Sequence, residues 1–268
     1  MSKRVTAVIG TNAWGSPLYE RLLRGSAVDE ETLRSAVETT LLQDTPVVLD
    51  TAQDYGLGAC QPIIGRLFAD DERVLVSAKY MPMRGSYQQG QVRASLEHDL
   101  DQLGRSHVDF YWLHLPNCVE QNLAEMAQLA KEGLIANIGV SNFNLDECRL
   151  AQEFLAGRGI PLYGVQNHYS VLSRSWEKDG LVAWCCERGV AFWAWAVLEE
   201  GILSGPGKGE GKTIIKSVYA RQRRRMEILY KALDLVAQIH GITCAQAAMA
   251  LVASKGVVPV CGCRTPYK

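Results

Sequence analysis

Short runs rich in β-branched and aromatic residues recur at 5–10, 47–50, 74–79, 108–114, 135–140, 162–166, 190–195 and 257–260. Longer amphipathic stretches at 30–42, 91–103, 123–131, 146–155 and 181–188 stand between them. This alternation constrains the fold more than any other feature of the chain. Neighbouring parallel strands need a crossover of a dozen or more residues, usually helical, and strands almost continuous in apolar residues are covered on both faces. Eight such strands predict a (β/α)8 barrel, a TIM barrel of parallel strands, as one domain over residues 1–268. An open doubly wound sheet is disfavoured, because Gly10-Thr11-Asn12-Ala13-Trp14-Gly15 does not supply the G-x-G-x-x-G turn after the first strand. Val92, Leu96, Leu100 and Leu103 mark one helix face, with Gly104 as its stop, and Asp29 is placed to cap the helix that begins at Glu30.

Composition excludes several classes of function. Net charge is −1, so no electrostatic footprint for nucleic acid exists, and the basic run 221–225 reads as a solvated helix face. No stretch approaches about 18 uninterrupted apolar residues, and the opening Met1-Ser2-Lys3-Arg4 does not resemble a leader, which predicts a cytoplasmic protein. Eight cysteines fit a reducing compartment, and Cys185-Cys186 and Cys261-Gly262-Cys263 lack C-x-x-C spacing. The histidines at 98, 107, 114, 168 and 240 are scattered, so no metal site and no metal-dependent hydrolase is expected. The segment 207–213 imitates a phosphate-binding loop, but Pro206 stands where its first glycine belongs, so it reads as a surface loop.

Four polar residues lie at or just past three consecutive runs: Asp50, Tyr55, Lys79 and His114. Singly, an Asp there is as readily a cap, a Lys a surface charge and a His a packing residue. Together they converge, because parallel barrel strands present their C-terminal ends to one face. A phenol near an ammonium should have a depressed pKa and so donate its proton more readily; the imidazole can hold a developing oxyanion. Such a set suits carbonyl reduction.

Asp50-Thr51-Ala52-Gln53-Asp54-Tyr55-Gly56 fits the signature D-T-A-x-x-Y-G, and the strand end at Lys79 fits the element that follows it. Leu113-His114-Leu115-Pro116, Gly139-Val140-Ser141-Asn142-Phe143 and Gln166 come after in the matching order. With these motifs the chain resembles the aldo-keto reductase family, in style its bacterial and potassium-channel β-subunit-like branch. The resemblance implies an enzyme that reduces an aldehyde or ketone, or runs the reverse reaction, with NADPH held across the C-terminal face. It implies Tyr55 as general acid, Lys79 and Asp50 as its electrostatic partners, and His114 as orienter of the carbonyl. By the same resemblance Ser141, Asn142 and Gln166 would hold the nicotinamide carboxamide, Trp195 would stack on its ring, and Arg264 and Lys268 would approach the adenosine 2′-phosphate. Read without the family, Trp195, two residues from Trp193, has the alternative of an aromatic of the core at strand spacing. Trp14, Met81, Trp112 and Tyr169 are expected to line an apolar mouth. Some relatives act as regulatory subunits with little turnover, which is the alternative expectation.

Departures from the pattern accompany the matches. Cys60-Gln61 replaces a usual Ser-Glu, Leu134 and Ala136 replace basic residues, and Trp195-Ala196-Val197-Leu198 replaces a tyrosine-serine-proline-leucine element. Only six residues precede Ala7, where the family has a hairpin, and the sequence stops soon after the eighth strand, without an eighth helix. The outward faces of residues 5–9 and 257–260 should then lack cover, to be closed by another chain, such as a second copy, or by the loop 204–216, unless the natural protein continues past Lys268.

Overall fold

The computed structural model describes residues 5–24, 27–41, 47–205 and 223–266. The eight runs form strands β1 (Val8–Gly10), β2 (Val47–Asp50), β3 (Val74–Tyr80), β4 (Val108–Leu113), β5 (Ile135–Ser141), β6 (Leu162–His168), β7 (Ala191–Trp195) and β8 (Val257–Gly262). They pair in parallel in chain order, and β8 returns to β1 to close the barrel. The expected (β/α)8 architecture is therefore the one observed. Strand β1 is shorter than its apolar run: Val8, Ile9 and Gly10 pair with Val260, Cys261 and Gly262 of β8, and Ile9 and Gly10 with Leu49 and Asp50 of β2.

Helices cover the barrel: α1 (Pro17–Arg24) and α2 (Glu30–Leu41) follow β1, α3 (Cys60–Phe68) follows β2, and α4 (Gln91–Leu103) follows β3. Next come α5 (Val119–Lys131), α6 (Leu145–Ala156), α7 (Ser175–Lys178) and α8 (Leu181–Arg188). A 3-10 segment (Glu199–Ser204), α9 (Arg223–His240) and α10 (Cys244–Ala253) separate β7 from β8. The stop and start signals act where expected: Gly104 ends α4 in the left-handed region at φ 63°, and the Asp29 side chain accepts from the Thr32 amide.

Strand alternation sends Val8, Val48, Phe110, Trp112, Trp193, Val258 and Val260 into the barrel interior. The Trp112 and Trp193 rings lie 4.8 Å apart, and Phe110 stands 5.1 Å from Trp193. Room for Trp112 exists because β5 and β6 carry Gly139 and Gly164 against it: a Cβ on Gly139 would overlap the indole. Gly139→Ala should therefore overpack the interior and cost about 1–3 kcal/mol or more, read as a lowered Tm. An unchanged Tm would mean that the indole is free to move aside.

One expectation about the ends needs correction. Among the described residues no helix follows β8, yet its seam with β1 is not open: Ile9 is 8% and Val257 3% exposed. Trp14 covers the C-terminal end of the seam: it packs in the same apolar cluster as Ile9, and its Nε1 donates to the Cys263 carbonyl at 2.7 Å. Helix α10 packs against β8 as well. Exposed apolar side chains stand instead on α9, at Ile228, Leu235, Val236 and Ile239, whose opposite face buries Met226, Leu233 and Ala237. The seam thus gives no physical reason for a second copy there. The segment 207–213, most of the loop 204–216, Arg221, Gln222 and Lys268 lie outside the described residues. No single helix among the described residues is long and apolar enough to cross a membrane.

Candidate active site

Asp50 closes β2, Lys79 is the penultimate residue of β3, His114 follows β4, and Tyr55 opens a 3-10 turn (Tyr55–Gly58). Lys79 is the hub. Its Nζ donates to Asp50 Oδ2 at 2.6 Å, to the Thr51 carbonyl at 3.0 Å and to Tyr55 Oη at 3.2 Å. Its side chain is 1% exposed and that of Asp50 3%, so the ion pair is shielded from water. Gly56 permits the turn that carries Tyr55: its φ is 60°, and a Cβ there would run into the Trp14 carbonyl. Only backbone of this compactness brings the phenol back to the Lys79 ammonium.

The electrostatics differ from the expectation in sign. Burial raises the Tyr55 pKa, and the Lys79 ammonium only partly offsets it, so the net shift is upward rather than downward. Burial also works against the Lys79 charge, but the Asp50 carboxylate and the Tyr55 oxygen outweigh it and hold the ammonium above its usual pKa. His114 is pushed down to about 4 by burial, with the neighbouring Lys79 charge adding to the effect. Its Nδ1 is buried with no hydrogen-bond partner among the described residues. A neutral imidazole donates one hydrogen bond without bringing charge.

A pH consequence follows. The unfolded chain binds a proton at His114 near pH 6.5 while the folded chain does so only near 4, so stability from this residue is complete above 6.5 and declines as pH falls toward 4. Titration of His114 by NMR should give no inflection between pH 5.5 and 8, roughly the range in which an unperturbed histidine titrates. A midpoint near 6.5 would show that water reaches the ring.

Beneath the tetrad runs a second layer that inspection of the sequence missed. Trp112 Nε1 donates to Ser77 Oγ at 2.8 Å, Ser77 Oγ donates to Asp50 Oδ1 at 2.6 Å, and Gln166 Nε2 donates to the same oxygen at 3.0 Å. Period-2 alternation back from Lys79 would have pointed to Ser77. Ser141 Oγ donates to the Gln166 carbonyl at 2.8 Å, and Asn142 Nδ2 to the His114 carbonyl at 3.0 Å. Asp50, Lys79, His114, Ser141, Asn142 and Gln166 are thereby one bonded cluster at the C-terminal end of the barrel.

Of the residues expected at an apolar mouth, only Met81 is exposed. Trp112 is buried inside the barrel, Trp14 covers the C-terminal end of the β1–β8 seam, and Tyr169 packs edge-on to Phe192 while its hydroxyl donates to Glu177 at 2.8 Å. These three have no surface with which to line an opening. Arg264 is engaged by Glu20 at 2.7 Å, and Glu20, itself buried, also accepts from the Gly15 and Val28 amides. Gln61, the departure next to Cys60, turns inward and donates to Asp99 Oδ1 at 2.7 Å.

Comparison with known proteins turns this geometry into an assignment. The Aldo/keto reductase family model matches residues 8–268. The chain belongs to the aldo/keto reductase family. It is 28% identical over 279 residues to the chloroplastic pyridoxal reductase of Arabidopsis thaliana, covering 96% of this chain and 74% of that protein. It is 32% identical over 199 residues to the human aflatoxin B1 aldehyde reductase member 4, covering 70% of this chain and 59% of that one. Among solved structures, a thermostable aldo-keto reductase in complex with epalrestat superposes with a TM-score of 0.73 at 26% identity, over 98% of this chain and 89% of its own. Membership carries the family-level activity, NAD(P)H-dependent oxidoreduction.

An aldo-keto reductase must hold a nicotinamide carboxamide, and the residues present fit one. Gln166 Nε2 is committed to Asp50 and Asn142 Nδ2 to His114 and Ser141, while Gln166 Oε1 and Asn142 Oδ1 make no hydrogen bond among the described residues. Two acceptors thus remain for the N–H groups of an amide. Trp195 is half-buried at the end of β7.

Proposed function

We propose that this protein reduces an aldehyde or ketone to the alcohol, or catalyses the reverse, with NADPH as cofactor and Tyr55 as the general acid. The observation that supports it most is the phenol 3.2 Å from an ammonium that is itself fixed 2.6 Å from a buried carboxylate. NADPH supplies the hydride when bound. Tyr55 holds its proton at neutral pH, because burial keeps the phenol above its ordinary pKa, and passes it to the carbonyl oxygen as negative charge builds there. Lys79 stabilises the phenolate left behind, and Asp50 holds Lys79 in place. Neutral His114 donates a hydrogen bond to the substrate oxygen, an oxyanion-hole-type contact. Ser141, Asn142 and Gln166 orient the nicotinamide amide and Trp195 supports its ring, while Arg264 and Lys268 stand for the adenosine 2′-phosphate. Met81 remains as the apolar side chain at the opening.

The branch nearest the bacterial and potassium-channel β-subunit-like members is proposed from the motifs alone, and a cytoplasmic location from the eight cysteines, which fit a reducing compartment. The bonded set of Asp50, Lys79 and Tyr55 favours turnover over a purely regulatory role. Purified protein should consume NADPH with at least one member of a panel of aldehydes and ketones. It should bind NADPH more tightly than NADH, with quenching of Trp fluorescence. Equal or tighter binding of NADH would overturn the cofactor assignment, and tight binding without turnover across the panel would favour the regulatory alternative.

A further inference from the structure

The loop after β7 holds a carboxylate that the proposed chemistry does not use. Glu199 is 1% exposed at its side chain, and its Oε1 accepts from His168 Nε2 at 2.9 Å and from Ser170 Oγ. A carboxylate accepts only, so Nε2 is the ring nitrogen that carries the hydrogen. His168 closes β6 directly opposite Trp195 in the register, and the two rings stack with centroids 4.6 Å apart and 20° between planes. Three side-chain-bearing residues of the same loop occupy the left-handed region: Ala196 at φ 54°, Glu199 at 48° and Glu200 at 54°. Such backbone persists where the surroundings over-determine it, and it concentrates at functional sites.

Filler would not be built this way. A buried carboxylate is a costly means of occupying space that a leucine would fill, and Glu199 Oε2 has no hydrogen-bond partner among the described residues to offset it. His168 is 30% exposed at its side chain, so packing alone does not hold the imidazole. The bond to Glu199 fixes the ring in its plane, and the ring in turn backs one face of the Trp195 indole. Trp195 stands two residues beyond Trp193 on the inward side of β7, at the same barrel end as Gln166.

We propose that Glu199 is a positioning residue which, through His168, sets the plane of Trp195 and so the surface that receives the planar nicotinamide ring. The proposal rests on the role given to Trp195 above. Fixing an aromatic platform before binding removes an ordering cost that each cofactor molecule would otherwise meet.

The test uses the full chain and two independent readouts. Trp195 emission and near-UV circular dichroism, isolated by difference from a Trp195→Phe background, report the stack without any cofactor. The KM for NADPH against kcat reports its use. Glu199→Leu and His168→Ala should each alter the Trp195 spectra and raise the KM for NADPH by roughly three- to tenfold, the range an aromatic contact supplies, with a smaller change in kcat. Glu199→Gln keeps an acceptor for Nε2–H and should recover most of both signals. Should Glu199→Leu fail to fold, His168→Phe keeps the ring, loses the bond to Glu199 and reads the same contact. Unchanged Trp195 spectra in Glu199→Leu, or in His168→Phe where that replaces it, would overturn the proposal. If the wild-type protein neither binds NADPH nor turns over a carbonyl, the proposed function fails, while the spectra still decide whether Glu199 positions Trp195.

Discussion

Tyr55→Phe is expected to lower turnover of a good carbonyl substrate by about 10²–10⁴-fold, the usual worth of a positioned general acid. NADPH affinity should be nearly unchanged. The substitution removes one oxygen, whose single hydrogen bond among the described residues comes from Lys79 at 3.2 Å. The phenyl ring keeps its place beside the Lys79 ammonium, which stands 4.7 Å from the ring centroid. Lys79 retains Asp50 and the Thr51 carbonyl, so the fold loses little. Steady-state kinetics with one aldehyde, together with fluorescence titration of NADPH, separates the two effects. Wild-type turnover in Tyr55→Phe would mean that the proton comes from another group and would sink the mechanism.

Lys79→Met should damage both stability and chemistry. It removes the cation from a pair in which both side chains are almost wholly buried and leaves the Asp50 carboxylate with Ser77 Oγ and Gln166 Nε2 as its remaining donors. Breaking a buried pair from one side costs about 3–5 kcal/mol. For a chain of this size that is a drop in Tm on the order of 10 °C. The double variant Lys79→Met/Asp50→Asn should be less destabilised than the single one, because the stranded charge goes as well, and this non-additivity identifies the cause. In the alcohol-oxidising direction the active form is the phenolate. Lys79 is the group that opposes the upward shift of Tyr55, so its loss raises that pKa further and moves the rising limb of the pH–rate profile to higher pH. A Lys79→Met protein with wild-type Tm and an unmoved limb would show that the pair is neither buried nor coupled to Tyr55.

Elements with a local cause were legible. Helices Gln91–Leu103 and Leu181–Arg188 carry both their period and their terminal glycines in their own residues, and Val47–Asp50 is a strand bounded as its apolar run is. The four-residue α7 was not legible, since one turn has no period to detect. The tetrad could be named because order along the chain becomes order around a parallel barrel. The direction of the Tyr55 shift could not, because it depends on how much water the assembled barrel excludes, which outweighed the ammonium that the sequence brought forward. The mouth residues were misjudged for a related reason. Trp112 lies in β4 and Tyr169 directly follows β6, but one points into the barrel and the other lies against the outer layer.

The sequence by itself determined the barrel, its strand order and the residue types at the C-terminal strand ends, because periodicity, turn residues and strand ends are short-range properties. Only the tertiary structure decided what those residues touch. Gln166 reaches Asp50 across 116 positions, Arg264 meets Glu20 across 244, Trp14 covers the C-terminal end of the β1–β8 seam by bonding Cys263, and Glu199 grips the histidine behind Trp195. The first three contacts join segments that barrel closure brings together and the last joins the ends of neighbouring strands, and the strength of each depends on the burial that the closed barrel creates, so no local pattern in the chain encodes it.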